Sequence, residues 1–329
     1  MRFILSVLFA LWVLPAAAQC TGENLMQTMP ANERAKLDAA VAAHPYPSGN
    51  LWRATKGGST IHIMGTFHLS DPRFDAYLDP LWPTIKAADL ILLEANREAM
   101  ERLKTEMLTD SSLMFITDGP TLIDRLSPEN WERLSSEMSA RGIPSFMVSK
   151  MLPWYVSMML SIPPCAMTGL AAQNGVDQRI MTRAESHNIP TRALEAYDVV
   201  FSLLGAENTE DELNGVRMAL ITANEGDSMI ATLTEAYLSG NHRAIWELTR
   251  LQAMETQTKA NVDGINMFAE MEAKMLTDRN ANWMPVILAA TEEADNIVVA
   301  VGAAHLSGKI GLLYMLEQSG YALTRVEGF

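Results

Sequence analysis

Two stretches near opposite ends of the chain share one short pattern. Ile61 to Met64 leads into Gly65-Thr66-Phe67-His68-Leu69-Ser70, and Val298 to Val301 leads into Gly302-Ala303-Ala304-His305-Leu306-Ser307. Each is an apolar strand, a glycine, two residues, then histidine, leucine and serine. Glycine permits a tight exit from a strand and a close backbone approach. A histidine three positions later projects from the C-terminal edge of a sheet, where open α/β folds bind ligands. Two such units on neighbouring strands bring two imidazoles to one pocket. His44, His62, His187 and His242 lack this context, and His62 reads as a structural strand residue.

Two acidic residues close further candidate strands: Glu94 after Leu90-Ile91-Leu92-Leu93, and Glu195 after Arg192-Ala193-Leu194. A carboxylate at the end of a buried strand is costly unless it is paired, hydrogen-bonded or bound to a cation. Imidazoles and carboxylates together suit zinc, manganese or iron. A divalent ion on His68, His305 and one or both glutamates would acidify water and polarise a carbonyl, with the second carboxylate as base. The competing reading leaves both glutamates in salt bridges at the sheet edge. Arg279, within Asp278-Arg279-Asn280, is a candidate to steady an oxyanion or clamp a substrate carboxylate, the competing reading being a structural helix-end arginine. No serine-hydrolase elbow, phosphate loop or dinucleotide fingerprint is visible.

The elements that must hold these residues alternate between strands and helices. Leu51 to Thr55 and Thr60 to Met64 flank Lys56-Gly57-Gly58-Ser59, a hairpin signal. Leu90 to Leu93, Pro190 to Leu194, Asn296 to Val301 and Ala322 to Val326 read as further strands. A helix is expected over Asp79 to Ala88 with Asp79 as its cap, and another from Ser127-Pro128-Glu129. Ile143 to Met167, rich in methionine, reads as a buried helix or helix pair, its uncharged run being about half a membrane span. Residues 208–294 look almost entirely helical. The expected fold is α/β: a central mixed sheet flanked by helices, with a large helical portion in the C-terminal half. Residues 19–329 are expected to form a single domain, with a helical lobe at about 208–294 between core strands.

Composition narrows the function classes. The 329 residues are 48% hydrophobic, enough to bury a sizeable core and to exclude a disordered chain. A net charge of −14 without a basic block repels phosphate, which argues against nucleic-acid binding. Residues 1–18 carry Arg2, an apolar run from Phe3 to Leu14, and Ala16-Ala17-Ala18. That is the pattern of a cleaved secretory signal, too short to be a membrane span. Export, to a periplasmic location, puts the two cysteines in an oxidising compartment. A Cys20–Cys165 disulfide is therefore expected, its loop closure contributing roughly 4–5 kcal/mol.

With these pieces in order, the chain resembles the TraB/PrgY/GumN family, which includes the Tiki metalloproteases. The resemblance lies in the hairpin into Gly65-Thr66-Phe67-His68, Leu93-Glu94, the Gly175 to Glu195 helix-strand unit, Arg279-Asn280, and Gly302 to His305. It implies an active site on the two histidines and a glutamate, a manganese- or cobalt-like divalent ion with zinc as an alternative, and, in the Tiki branch, peptide-bond hydrolysis. By position it makes His68, Glu94 and His305 the metal site, with Glu94, Glu195 and Arg279 as catalytic or supporting groups. One departure is Asn96, where Tiki-like members carry an aspartate. The expected protein is an exported metal-dependent peptidase acting on a peptide or protein substrate. The alternative is a noncatalytic peptide-binding or accessory protein using the same cleft.

Overall fold

The apolar runs assemble into one six-stranded sheet. A computed structural model describes residues 20–167, 174–204, 209–260 and 264–326; the expected leader, residues 1–18, lies outside them. The strands are β1 (Leu51–Lys56), β2 (Ser59–Thr66), β3 (Leu90–Leu93), β4 (Thr191–Ala193), β5 (Asn296–Gly302) and β6 (Ala322–Arg325). Their spatial order is β4-β3-β5-β2-β1-β6. β4, β3, β5 and β2 are mutually parallel, whereas β1 is antiparallel to both β2 and β6. The sheet is therefore mixed, as the sequence predicts. Gly57, at φ +60°, makes the hairpin turn between Lys56 and its partner Ser59.

The parallel strands read as continuous apolar runs because helices cover both faces. In β5, Ile297, Val299 and Val301 point into one core layer and Val298 and Ala300 into the other. Each buried aliphatic of this size contributes roughly 1.5–3 kcal/mol. The first layer is closed by Trp283, Met284, Ile287 and Ala290 of the helix Asp278–Glu293. The second is closed by Phe74, Ile85, Tyr237, and by Ile180 and Met181 of the helix Val176–Ser186.

The helical portion is drawn from more of the chain than the expected lobe. Leu122, Leu134, Val156 and Leu160, which lie between β3 and β4, share one cluster with Leu213, Val216 and Leu220. At the other boundary, the helix Asp278–Glu293 packs on the sheet, because Trp283 and Ile287 are fully buried there. Asp79 also differs from expectation. The helix Phe74–Leu78 precedes it and a short 3₁₀ turn, Asp79–Leu81, leads on to Trp82–Lys86. Asp79 thus lies inside a helical run, and its carboxylate accepts from Arg183 at 3.2 Å. Ser127 does cap its helix, accepting from the Asn130 amide at 3.2 Å.

Cys20 and Cys165 form the expected disulfide. The chain next to Cys20 lies tight against the helix Gly226–Leu238, since a Cβ on Gly22 would overlap the Asp227 backbone. No helix among the described residues is long and apolar enough to cross a membrane.

Candidate functional site

Parallel pairing puts the C-terminal ends of β4, β3, β5 and β2 side by side. Following strand order, that edge carries Glu195, Glu94, then Gly302 with His305, then His68. The sequence echo is not a structural echo, however. After β5 the chain turns at once into the 3₁₀ segment Ala303–His305, which leaves His305 only 4% exposed. After β2 it runs on as an irregular loop, and 63% of the His68 side chain is accessible. Gly65 is needed because a Cβ there would lie 3.0 Å from the side chains of Ala303 and Leu306. The first glycine thus makes room for the second motif.

Arg279 is the hub of the site. Its Nε and Nη2 donate to Glu195 Oε2 and Oε1 at 3.0 and 2.6 Å. The same Nη2 donates to Glu94 Oε2 at 2.6 Å. Nη1 faces His305 Nε2 at 3.2 Å and Met275 O at 3.4 Å. Met275 lies in the π-helical turn Ala273–Thr277, whose wider winding delivers Arg279 to the sheet edge. Trp283 donates to Glu195 Oε2 at 2.9 Å and lies under the guanidinium, 4.6 Å from its central carbon. Both glutamates are therefore ion-paired, and each keeps 17% of its side chain accessible.

Asn280 decides the state of His305. Its Nδ2 donates to the carbonyls of His305 and Ile310, so its Oδ1 must be the atom 2.8 Å from His305 Nδ1. The proton sits on Nδ1 and leaves Nε2 as a bare acceptor. Burial, with Arg279 close by, lowers the pKa of His305 to about 4 against the pull of Glu94. Glu94 behaves oppositely to a simple buried acid. Burial pushes its carboxyl up, but His305, Arg279, His68 and the Gly302 N–H, which donates to Oε1 at 2.6 Å, bring it down to about 2.

His68 has a partner that the sequence reading missed. Its Nδ1 lies 3.3 Å from Asp177 Oδ1, in the first turn of the helix Val176–Ser186. Loss of hydration lowers the His68 pKa, but Asp177, facing Nδ1, with the Glu94 charge behind it, holds it up at about 9. With so much of the ring accessible, the pairing with Asp177 governs its protonation. The loop is brought there by Gly175, where a Cβ would overlap the His68 carbonyl, and by the Val176 N–H donating to Phe67 O at 2.8 Å. The signal for Asp177 was a first-turn acid just after a glycine that a strand–loop packs against. That glycine becomes recognisable only once β2 and the helix are neighbours.

Three side chains border the space above Gly302, although the ligand atoms of Glu94, His305 and His68 do not all lie within 4.8 Å of one another. A Cβ on that residue would lie 3.2 Å from Glu94 Oε1, 3.6 Å from His305 Cδ2 and 4.0 Å from His68 Nε2. The space that glycine leaves is bounded by a carboxylate and two imidazoles. Glu94 Oε1 and His305 Nε2 are 3.9 Å apart. Among the described residues, only the ligand atoms of Cys20, Cys165 and Asp227 gather within 4.8 Å of one another, which could in principle hold a metal. The two sulfurs are joined in the disulfide and offer no thiolate. Asn96, the departure noted above, caps the helix Arg97–Thr109 by accepting from the Ala99 amide at 3.0 Å. It does this as well as an aspartate would.

The sequence profile described as the TraB/PrgY/gumN family matches residues 50–325, a span that includes both glycine-to-histidine segments, Glu94, Glu195 and Arg279. Among curated proteins, the chain is similar to the uncharacterized protein YbaP of Escherichia coli (strain K12). The identity is 23% over 283 residues, covering 85% of this chain and 97% of that protein. The protein of the same name from Shigella flexneri matches with the same identity and coverage.

Proposed function

The chain belongs to the TraB/PrgY/gumN family, and from that premise we propose that it is an exported, divalent-metal-dependent hydrolase acting on the peptide bonds of a peptide or protein. The observation that carries this reading is that Glu94 Oε1, the His305 ring and His68 Nε2 all border the space above Gly302, within 3.2 to 4.0 Å of where its Cβ would lie. The donor chemistry fits a manganese-, cobalt- or zinc-like ion, which His68, Glu94 and His305 would hold. Asn280 keeps His305 Nε2 free of a proton, and Asp177 engages His68 through Nδ1, so an ion would take the place of the proton that the raised pKa of His68 keeps on Nε2. A divalent ion there would supply Lewis acidity toward a carbonyl and would lower the pKa of water.

The chain's own residues divide the remaining work. Arg279 would exchange its contact with His305 Nε2 for the developing negative charge of a carbonyl oxygen, keeping its two bonds to Glu195. Glu195 Oε2 already accepts from both Arg279 and Trp283, whereas Oε1 accepts from Arg279 alone. Oε1 is thus the atom with a lone pair to take a proton. The Cys20–Cys165 disulfide supports an oxidising, periplasmic location, in keeping with the leader read at residues 1–18.

The test is metal content and melting temperature of the protein, apo and with manganese, cobalt or zinc, beside a His68→Ala/His305→Ala double variant. One ion per chain that raises the melting temperature of the parent alone is the expected result, and it would direct a peptide-library search for cleavage. No ion and no shift in the parent would sink the proposal in favour of a noncatalytic peptide-binding protein.

A further inference from the structure

The sheet ends at β4, which has β3 on one side and, among the described residues, no strand on the other. β4 is three residues long, Thr191–Ala193, and all three are partly exposed. Its parallel register sets Ile91 beside Thr191 and Leu93 beside Ala193. The Ile91 N–H donates to Pro190 O at 2.9 Å, and the Leu194 N–H donates to Leu93 O at 2.7 Å. Along a strand, successive residues turn their N–H and C=O groups to opposite sides. Pro190, Arg192 and Leu194 therefore turn theirs toward β3, and Thr191 and Ala193 turn theirs away from the sheet. Those outward N–H and C=O groups have no hydrogen-bond partner among the described residues.

The edge is short and leads into the candidate site. It is about 10 Å long, and Pro190 below it has no N–H to offer, so a long strand of another protein finds little to pair with. Two copies of this chain joined through β4 alone would fall far short of the roughly 1,200 Å² that a stable interface buries. The Arg192 side chain does not obstruct the edge: its Nη2 donates at 2.6 Å to Glu293 Oε2, on the helix Asp278–Glu293 that covers one face of the sheet. Leu194 is buried under the same helix, and the next residue is Glu195, which accepts from Arg279 at 2.6 Å.

We propose that the free edge of β4 takes up the backbone of an extended peptide, the substrate of the neighbouring site, as an added strand held by main-chain hydrogen bonds. Only the naming of that peptide as substrate rests on the hydrolase reading. Strands lie about 4.8 Å apart, so the added strand would run about 14 Å from β5, and about four extended residues would carry the peptide on to the space above Gly302. The paired residues thus lie about four residues from the bond presented to the site. The edge selects for an extended backbone and sufficient length, with little regard to side chains.

Fluorescence anisotropy on the whole protein without added metal tests this apart from catalysis. The probe is a fluorescein-labelled heptapeptide with blocked ends, alternating threonine and valine between two terminal lysines. The parent should bind it, and the same peptide N-methylated at every threonine and valine should not bind. Ala193→Pro deletes an outward N–H while leaving the ladder to β3 whole, so it should weaken binding roughly tenfold or more with little change in melting temperature. Thr191→Pro should act alike, and it decides if Ala193→Pro does not fold. No binding by the parent at millimolar peptide, equal binding of the N-methylated peptide, or a folded proline variant that binds like the parent would each overturn the proposal. So would a parent dimer in sedimentation that Ala193→Pro converts to monomer, since a second copy would then own the edge. Expected binding in a protein that holds no metal and cleaves nothing would uphold the edge and remove only the hydrolase reading.

Discussion

Asn280 Oδ1 lies 2.8 Å from His305 Nδ1, while the other end of the same amide is held by two backbone carbonyls. The amide therefore cannot flip without losing three hydrogen bonds. One side chain thus sets which nitrogen His305 turns toward Glu94 and Arg279.

Replacing that amide by an acid should reverse the charge preference of the ring. In Asn280→Asp, the pKa of His305 should rise from about 4 to above the ordinary 6.5. In the parent, the depressed pKa means that the unfolded ring takes up a proton the folded ring refuses. The stability it contributes is complete above pH 6.5 and is lost as pH falls toward 4. Proton NMR titration of the ring in both proteins measures this directly; an unchanged value would show that Asn280 does not control the tautomer.

His68 should titrate in the opposite sense. Asp177→Asn removes the charge that opposes dehydration, so its pKa should drop from about 9 toward or below 6.5. The raised value contributes stability below pH 6.5 that is lost as pH rises through 9. Because the ring is largely accessible, that contribution is small, and the ring resonance is the informative readout, not the melting temperature. A pKa that stays near 9 would make Asp177 a bystander.

Arg279→Met should be destabilising on the order of 3 kcal/mol, because Glu94 and Glu195 are mostly buried and share that one guanidinium. Adding Glu94→Gln and Glu195→Gln to the same chain should recover most of the loss. Urea unfolding of the single and triple variants separates lost charge balance from lost packing on Trp283. A triple variant as unstable as the single one would assign the effect to packing.

Removing the disulfide in Cys20→Ser/Cys165→Ser should lower stability by roughly 4–5 kcal/mol in the chain-entropy view. Guanidinium unfolding of the variant beside the oxidised parent measures it. A loss below about 1 kcal/mol would contradict that account.

The strands were legible in the sequence because their patterns are local: four apolar residues before Glu94, a β-branched run before Gly302, two glycines in the hairpin. The convergence of His68, Glu94, Glu195, Arg279 and His305 was legible because four of them follow directly from strand ends, so parallel pairing suffices to gather them. Asp177 and Trp283 were not, since their roles depend on which helix packs against which loop. A buried Trp283 is spaced like any core residue, and nothing local marks its N–H as the partner of Glu195. The helix Asp278–Glu293 falls within the expected helical lobe yet packs on the sheet, because helical spacing shows that a face is apolar, not which layer it covers.

The position of β5 has a bearing on how the molecule is made. Thr60 pairs with Asn296 and Leu90 with Ile297, so the fifth strand in sequence is the wedge between two strands formed near the beginning. Until Asn296 to Gly302 joins the sheet, β1–β2 and β3–β4 can pair only as separate two-stranded ribbons, which are marginal on their own. Contacts so distant along the chain make for slow folding. Sheet closure therefore waits on the C-terminal part of the chain, and a chain cut short of residue 296 lacks the strand that unites its halves.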